Sequence, residues 1–378
     1  MPEGAYRRAL KAEVEVVEGD INELLWDLAL YRHAMQRAVD ALWDLDKIPK
    51  KSQAHQLFYS ILRSYGFRAH VARSIYSYAL ALVKAVKETG RSRPILRKLS
   101  SRLDYCDARV ELDKSTVKIV LRDKWYTLRL KHREEYIERF KGLRWKEVHV
   151  KYENRRLYVS IVFEFNYKPY APRSIIALDV NLKTITTYNG SEIRRFKTRF
   201  VDALSKRKRA EELQEKYPKR WRYNKRILSR TRSLHSRARN IVVDYCWKMA
   251  KQVVLYAKRK QCAIALEDLE GLRESLNSKS DKITWKLTMF AYRRLQHSII
   301  SKALEHDVPV IIVDPKDTSK TCPRCGEKLA YTHRLGICKR CGFTCDRDSI
   351  GAVNIWLRAL YAYAGEPGSP PRAPRSEG

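Results

Sequence analysis

Four of the eight cysteines stand as two Cys-x-x-Cys pairs, Cys322–Cys325 and Cys338–Cys341, separated by twelve residues. Each pair offers two thiolates from a tight turn, and four thiolates with no open position make a structural Zn²⁺ site. A redox dithiol would need only one pair. Such a cage leaves zinc no water to activate, so its expected role is architectural. The other four, Cys106, Cys246, Cys262 and Cys345, are scattered through core-like stretches. That usage fits a reducing compartment and a single metal site.

A second set of residues has the makings of hydrolytic chemistry. Asp179 ends the apolar run SIIALD, Glu267 ends CAIALE, and Asp348 opens DSIGAVNIW. Taken singly, each acid is ordinary: a turn residue, a helix cap or a salt-bridge partner. An acid at the end of a buried strand is costly unless it is exposed there or binds something positive. In open α/β sheets ligands collect at the carboxyl ends of strands. Three such carboxylates together suit Mg²⁺ or Mn²⁺, and a pair of such ions hydrolyses phosphodiesters. Asp346 reads as a cap or supporting group, and Asp268, beside Glu267, as structural.

The charge says what kind of substrate to expect. Seventy-seven Lys and Arg against forty-three Asp and Glu leave +34. A charge-rich surface can serve heat stability, but that does not account for the one-sided sign, which points to nucleic acid. Residues 194–239 concentrate the excess, with eighteen Lys or Arg and four acids. There Arg207, Arg209, Arg220, Arg222, Arg226, Arg230, Arg232 and Arg237 are candidate phosphate contacts, and Trp221 and Tyr223 could stack bases. Lys320, Arg324, Arg334, Lys339 and Arg340 would give the cysteine knuckle a nucleic-acid face.

The elements that must position these groups follow from periodicity. Residues 7–17 alternate as a strand, and residues 20–92 carry helical three- and four-residue spacing. Most of the aromatic residues there, Trp26, Trp43, Phe58 and Tyr59, are expected in the core. Strands then return in series, the last two forming a hairpin through Glu153 and Asn154. A proline-containing linker near residue 171 leads into apolar strands separated by long helices, an α/β arrangement with a mixed sheet. Residues 242, 245, 246, 249, 253 and 257 make an amphipathic stripe. No run approaches about eighteen apolar residues, so no membrane span is expected. The N-terminus lacks the apolar core of a signal peptide. The Pro-, Gly- and Ser-rich tail, 363–378, is expected to be disordered.

The segments IIALDVNLKTITTYNG, AIALEDLEGL and DRDSIGAVNI, in that order, with a four-cysteine knuckle before the third, resemble the RuvC-like nucleases of the TnpB family. The approach VDPKDTSKTCPRCG is similar as well. The resemblance is close over about residues 172–358, while the N-terminal half matches only in layout. It implies a multidomain α+β protein: an N-terminal β-module with a helical insertion, then a RuvC-like (RNase H-like) α/β domain holding an inserted four-Cys zinc ribbon. The implied divisions are a barrel-like wedge module (1–19 and 93–170), a helical recognition insertion (20–92), the nuclease domain (171–318 and 343–362) and the ribbon (319–342). Asp179, Glu267 and Asp348 would be the catalytic Mg²⁺ (or Mn²⁺) ligands. Ile350 replaces an Asn usual in the family, which would remove a polar contact at the helix start. The implied activity is RNA-guided DNA cleavage for a transposable element. The implied partners are a guide RNA from the transposon end and target double-stranded DNA, bound by a monomer with its RNA in a prokaryotic cytoplasm. An unguided structure-selective nuclease and a guided binder without cleavage are the alternatives.

Overall fold

The computed structural model describes residues 4–268 and 282–364, with side chains from Phe290 onward in the second stretch. In chain order the elements are β1 (Gly4–Glu18), α1 (Ile21–Trp43), α2 (Lys51–Ser64), α3 (Ala69–Glu88), β2 (Leu99–Leu103), β3 (Ala108–Glu111), β4 (Thr116–Val120), β5 (Trp125–Lys131), α4 (Glu134–Glu138), β6 (Trp145–Glu153) and β7 (Arg156–Tyr167). There follow β8 (Ser174–Val180), β9 (Thr184–Tyr188), β10 (Ile193–Lys197), α5 (Phe200–Lys216), α6 (Lys225–Lys260), β11 (Cys262–Glu267), α7 (Lys282–Glu305), β12 (Val310–Val313), β13 (Ala330–Thr332), β14 (Leu335–Ile337), β15 (Thr344–Asp346) and α8 (Arg347–Ala364). The chain divides into two compact units, Ala5–Asn166 and the part from Tyr167 onward.

The first unit is a seven-stranded sheet, in the order β2-β6-β7-β1-β5-β4-β3, with α1–α3 inserted after its first strand. Asp20 starts α1 by accepting the Asn22 N–H at 2.7 Å, an N-cap that satisfies one orphan donor. Leu24, Leu28 and Tyr31 of α1 and Ile75, Tyr76 and Ala79 of α3 share one core with Leu10, Val117, Val148 and Ile161 of the sheet. Trp43, Phe58 and Tyr59 join that core, as their spacing predicts. Trp26 does not: it is 66% exposed. It falls on the solvent side of α1, two residues from Leu24 and Leu28, where helical geometry turns a side chain away from the core. The short strand β2, hidden in RKLSSRLDY, carries no long alternating run to betray it.

The β6–β7 hairpin turns one residue later than its sequence suggests. Glu153 pairs with Arg156 across the strands. Asn154 and Arg155 between them have φ of 53° and 61°. That is the two-residue turn whose twist matches the strands, and it needs left-handed backbone at both positions.

The second unit has a five-stranded sheet in the order β10-β9-β8-β11-β12. β8, β11 and β12 run parallel, while β9 and β10 complete it antiparallel. This is the mixed sheet expected. α8 lies against β8, β9, β11 and β12. The basic segment 194–239 begins not as helix but as edge strand β10, all five residues exposed. Its remainder is α5 and the first part of α6, a single 36-residue helix. Asn224 caps that helix, accepting from the Arg226 and Ile227 N–H groups. Residues 363 and 364, assigned to the tail by composition, are the last residues of α8. Apolar packing of α8 outweighs the local composition there, and the rest of the tail, 365–378, lies outside the described residues. Among the described residues no helix is long and apolar enough to cross a membrane.

The strained position in the β6–β7 turn gives a test. Arg155 is exposed and left-handed, which costs an L-residue about 1 kcal/mol that glycine does not incur. Arg155→Gly is expected to raise the unfolding free energy by up to about 1 kcal/mol. Chemical denaturation checks it, and a lower midpoint with unchanged slope would contradict the turn assignment.

Candidate active site and cysteine knuckle

The parallel register places the first two acids. β8 and β11 pair through Ala177 and Ala265. Two residues further on, where side chains return to the same face, stand Asp179 and Glu267. The third acid arrives from α8, whose first turn holds Asp348. Gly351 lets the helix approach: a Cβ there would lie 3.0 Å from Asp179 Oδ2.

Electrostatics show that the three acids share one neighbourhood. Burial pushes the Asp179 carboxyl up to about 8, with the charges of Glu267 and Asp348 adding to the rise. Burial also raises Glu267. Tyr292 of α7 is raised as well, chiefly by burial and then by the charges of all three acids, so its hydroxyl stays protonated beside them.

Each acid has one neutral donor. Asn181 Nδ2 donates to Asp179 Oδ2 at 2.9 Å, Thr318 Oγ1 to Glu267 Oε1 at 2.6 Å, and Thr184 Oγ1 to Asp348 Oδ2 at 3.2 Å. Gln296 reaches the Glu267 carbonyl at 3.3 Å. Of these, Asn181 could have been found in the sequence, since it follows Asp179 by two residues. Thr184, Thr318 and Tyr292 leave no such mark, because tertiary folding alone brings them in.

Asp346 behaves as a cap. It accepts the Asp348 N–H at 3.0 Å and pairs with Arg195 at 3.0 Å. Arg334, expected on a nucleic-acid face of the knuckle, instead pairs with Asp348 and lies 3.6 Å from Asp346. The unbalanced charge of the buried acids attracts it there. The carboxylates do not form a closed cage, since their oxygens do not all lie within 4.8 Å of one another. As a donor set they still fit Mg²⁺ or Mn²⁺: three carboxyl groups with hard oxygens, buried or half-buried and close enough that Glu267 and Asp348 raise Asp179.

The knuckle is a closed set. The sulfurs of Cys322, Cys325, Cys338 and Cys341 all lie within 4.8 Å of one another. Cys322 and Cys341 are 3.6 Å apart, and Cys325 and Cys338 3.4 Å. A tetrahedron with metal–sulfur bonds of about 2.3 Å has edges of about 3.8 Å, so the cluster can hold a metal ion, and its four thiolates fit Zn²⁺. Each pair closes in the same way: Gly326 N–H donates to the Cys322 carbonyl at 2.9 Å and Gly342 N–H to that of Cys338 at 3.0 Å. Both glycines have positive φ, 77° and 70°. Ile350 is fully buried against this cluster with Leu329. The residue read as a lost polar contact is therefore an apolar anchor, filling a site where an amide would lack partners.

The nominated arginines lie on α5, on α6 and in the turn between them. Arg209, Arg220, Arg222, Arg226, Arg230, Arg232 and Arg237 are exposed. Arg207 differs, being half-buried near His235, whose pKa burial lowers first and the Arg207 charge lowers further. Trp221 is half-buried with the Arg222 guanidinium 5.1 Å from its ring centroid, whereas Tyr223 is 85% exposed.

Comparison with known proteins gives these features a context. The fold resembles that of a Cas12f1 solved as a complex with single-guide RNA and target DNA. The TM-score is 0.62 at 12% identity, over 93% of this chain and 98% of that one. The family model for the Cas12f1-like TNB domain matches residues 292–355. A CRISPR-associated endodeoxyribonuclease Cas12f2 from a Micrarchaeota archaeon is 30% identical over 154 residues, 36% of this chain and 28% of that protein. The chain thus has a mixed α/β multidomain fold similar to that of Cas12 effectors. More closely, a TnpB-like protein of Methanocaldococcus jannaschii is 30% identical over 242 residues, 60% of this chain and 84% of that protein. The chain belongs to the TnpB-like family.

The raised Asp179 carboxyl sets a pH dependence. Its folded-state value, about 8, lies above the ordinary 3.8. The folded chain therefore keeps a proton that the unfolded chain releases, and stability falls as pH rises through that window. Without added Mg²⁺ or Mn²⁺, Asp179→Asn should flatten the fall by at most about 1.4 kcal/mol per pH unit. Thermal midpoints near pH 8 should favour the variant, and the advantage should shrink steadily as the pH falls toward the ordinary 3.8. Equal slopes for both proteins would refute the shift.

Proposed function

We propose that this chain is an RNA-guided DNA endonuclease of a transposable element, cutting DNA at a RuvC-like site formed by Asp179, Glu267 and Asp348. The observation that carries the reading is the meeting of these acids from three distant segments, each buried or half-buried and felt by Asp179 as charge. Membership of the TnpB-like family supports it.

Mg²⁺ or Mn²⁺ ions held by the three carboxylates would supply the activated water and stabilise the departing oxygen of the phosphodiester. The chain's own groups prepare for this. Asn181, Thr184 and Thr318 orient the carboxylates as neutral donors that add no competing charge. Arg334, which pairs with Asp348, is the charge that a cation held there would have to displace. The exposed arginines from Arg209 to Arg237, with Tyr223, provide a sequence-independent surface for phosphates and bases. Base pairing with the guide would carry specificity. The partners in this reading are a guide RNA from the transposon end and double-stranded target DNA, bound by a monomer. The five-stranded unit is the RuvC-like domain with a Zn²⁺ ribbon at 319–342. The first unit is the wedge module with its helical recognition insertion.

The direct test is to express the protein with its flanking DNA, purify it and sequence the RNA that remains bound. One discrete RNA ending at the element's border is expected, and with that RNA the protein should cut matching DNA. Heterogeneous RNA would favour an unguided nuclease. Asp179→Ala and Glu267→Ala should each lower cleavage by about a hundredfold or more, with nucleic-acid binding retained. Undiminished cutting by Glu267→Ala would exclude the assigned site.

A further inference from the structure

A second cluster of metal-binding atoms lies in the first unit. His70, Asp104 and Cys106 each offer a ligand atom, and the three atoms lie within 4.8 Å of one another. His70 belongs to the first turn of α3, while Asp104 and Cys106 sit in the loop between β2 and β3. All three are partly exposed.

The loop is held in shape without using up these ligands. Asp104 Oδ1 accepts the Cys106 N–H at 2.9 Å, which leaves Oδ2 facing His70 Nδ1 at 3.4 Å. The Asp107 N–H donates to the Asp104 carbonyl at 3.2 Å, and the Asp107 carbonyl accepts from Val120 N–H at 3.0 Å. Asp107 itself is buried and engaged by Arg68 at 3.1 Å, so it supports the loop rather than adding a ligand.

An ordinary His–Asp ion pair accounts for two of the three groups. It does not account for a thiol placed against the same carboxylate, in a loop with a second acid three residues on. In a chain of net charge +34, a carboxylate and a thiol drawn together are the reverse of the prevailing surface, Asp107 being already paired with Arg68. Such a grouping repels its own ionised form and is relieved by a cation. The donors choose the cation: one nitrogen, one oxygen and one sulfur exclude Mg²⁺ and Ca²⁺, and suit Zn²⁺.

We propose that His70, Asp104 and Cys106 form a second Zn²⁺ site, separate from the four-cysteine knuckle, with its remaining position open to water. The ion would clamp the start of α3 to the β2–β3 loop. Both anchor points are already rigid, since Arg68 N–H donates to the Leu121 carbonyl at 3.2 Å immediately before the helix. Little ordering entropy therefore opposes binding.

The test is a zinc count on full-length protein, saturated with Zn²⁺ and freed of excess by gel filtration. Wild type is expected to carry one more equivalent per chain than either Cys106→Ala or His70→Ala. Asp104→Asn, which keeps the shape of the loop, serves as a third variant if either of those fails to fold. Cobalt replacement gives a second reading. The difference spectrum, wild type minus Cys106→Ala, should contain a thiolate-to-cobalt charge-transfer band. Equal zinc counts in wild type and variants overturn the proposal, as does a difference spectrum with no thiolate band. Because the knuckle is intact in every variant, the outcome is independent of the nuclease reading.

Discussion

The desolvation of like charges is the constraint on which the second unit turns. Asp179 ends a buried strand and is held where its carboxyl rises to about 8. Water cannot relieve it there, so the surroundings must. They do so sparingly, through one hydroxyl or amide donor for each acid, the ion pair of Arg334 with Asp348, and the more distant charges of Arg347 and Arg358. A fold selected for stability alone would place leucine or a paired charge at these strand ends. The parallel pairing of β8 with β11, the close approach of α8 at Gly351 and the threonines near the acids together hold an arrangement of carboxyl groups that burial disfavours.

The basic helices make the complementary arrangement. α6 keeps one buried face, with Leu234, Ala238, Val242, Cys246, Met249 and Val253 packed inward, over most of its length. Its other face carries arginines with few acids. Packing fixes the helix, so the charge on its outer face need not contribute to stability. That division lets a long positive surface persist without collapsing onto its own acids.

How much of this was legible in the sequence depended on whether a feature was local. Asp179 and Glu267 could be read because an acid closing an apolar strand breaks a local pattern, and the cysteine pairs because metal ligation demands fixed spacing. Strand β10 could not, since IRRFK is exposed throughout and its pairing with β9 depends on position alone. Trp26 was assigned to the core on residue type, but the phase of the helix turns it outward. The pairing of Arg334 with Asp348 could not be read, because the partners lie across a turn and a strand, beyond the range of any periodicity. Ile350 was read against a family pattern as something missing, whereas its packing shows something added.

Ile350 and Gly351 are consecutive residues that face different neighbours. One is buried among the knuckle cysteines, and the other lies against Asp179. A single turn of helix thus links two clusters of opposite chemistry, one built from soft sulfurs and one from hard carboxyl oxygens. Synthesis order adds to this. The ribosome releases Asp179 and Glu267 long before Asp348, which follows directly on the knuckle whose cysteines pack against Ile350. A chain that stops short of the knuckle therefore holds two of the three acids and lacks the third.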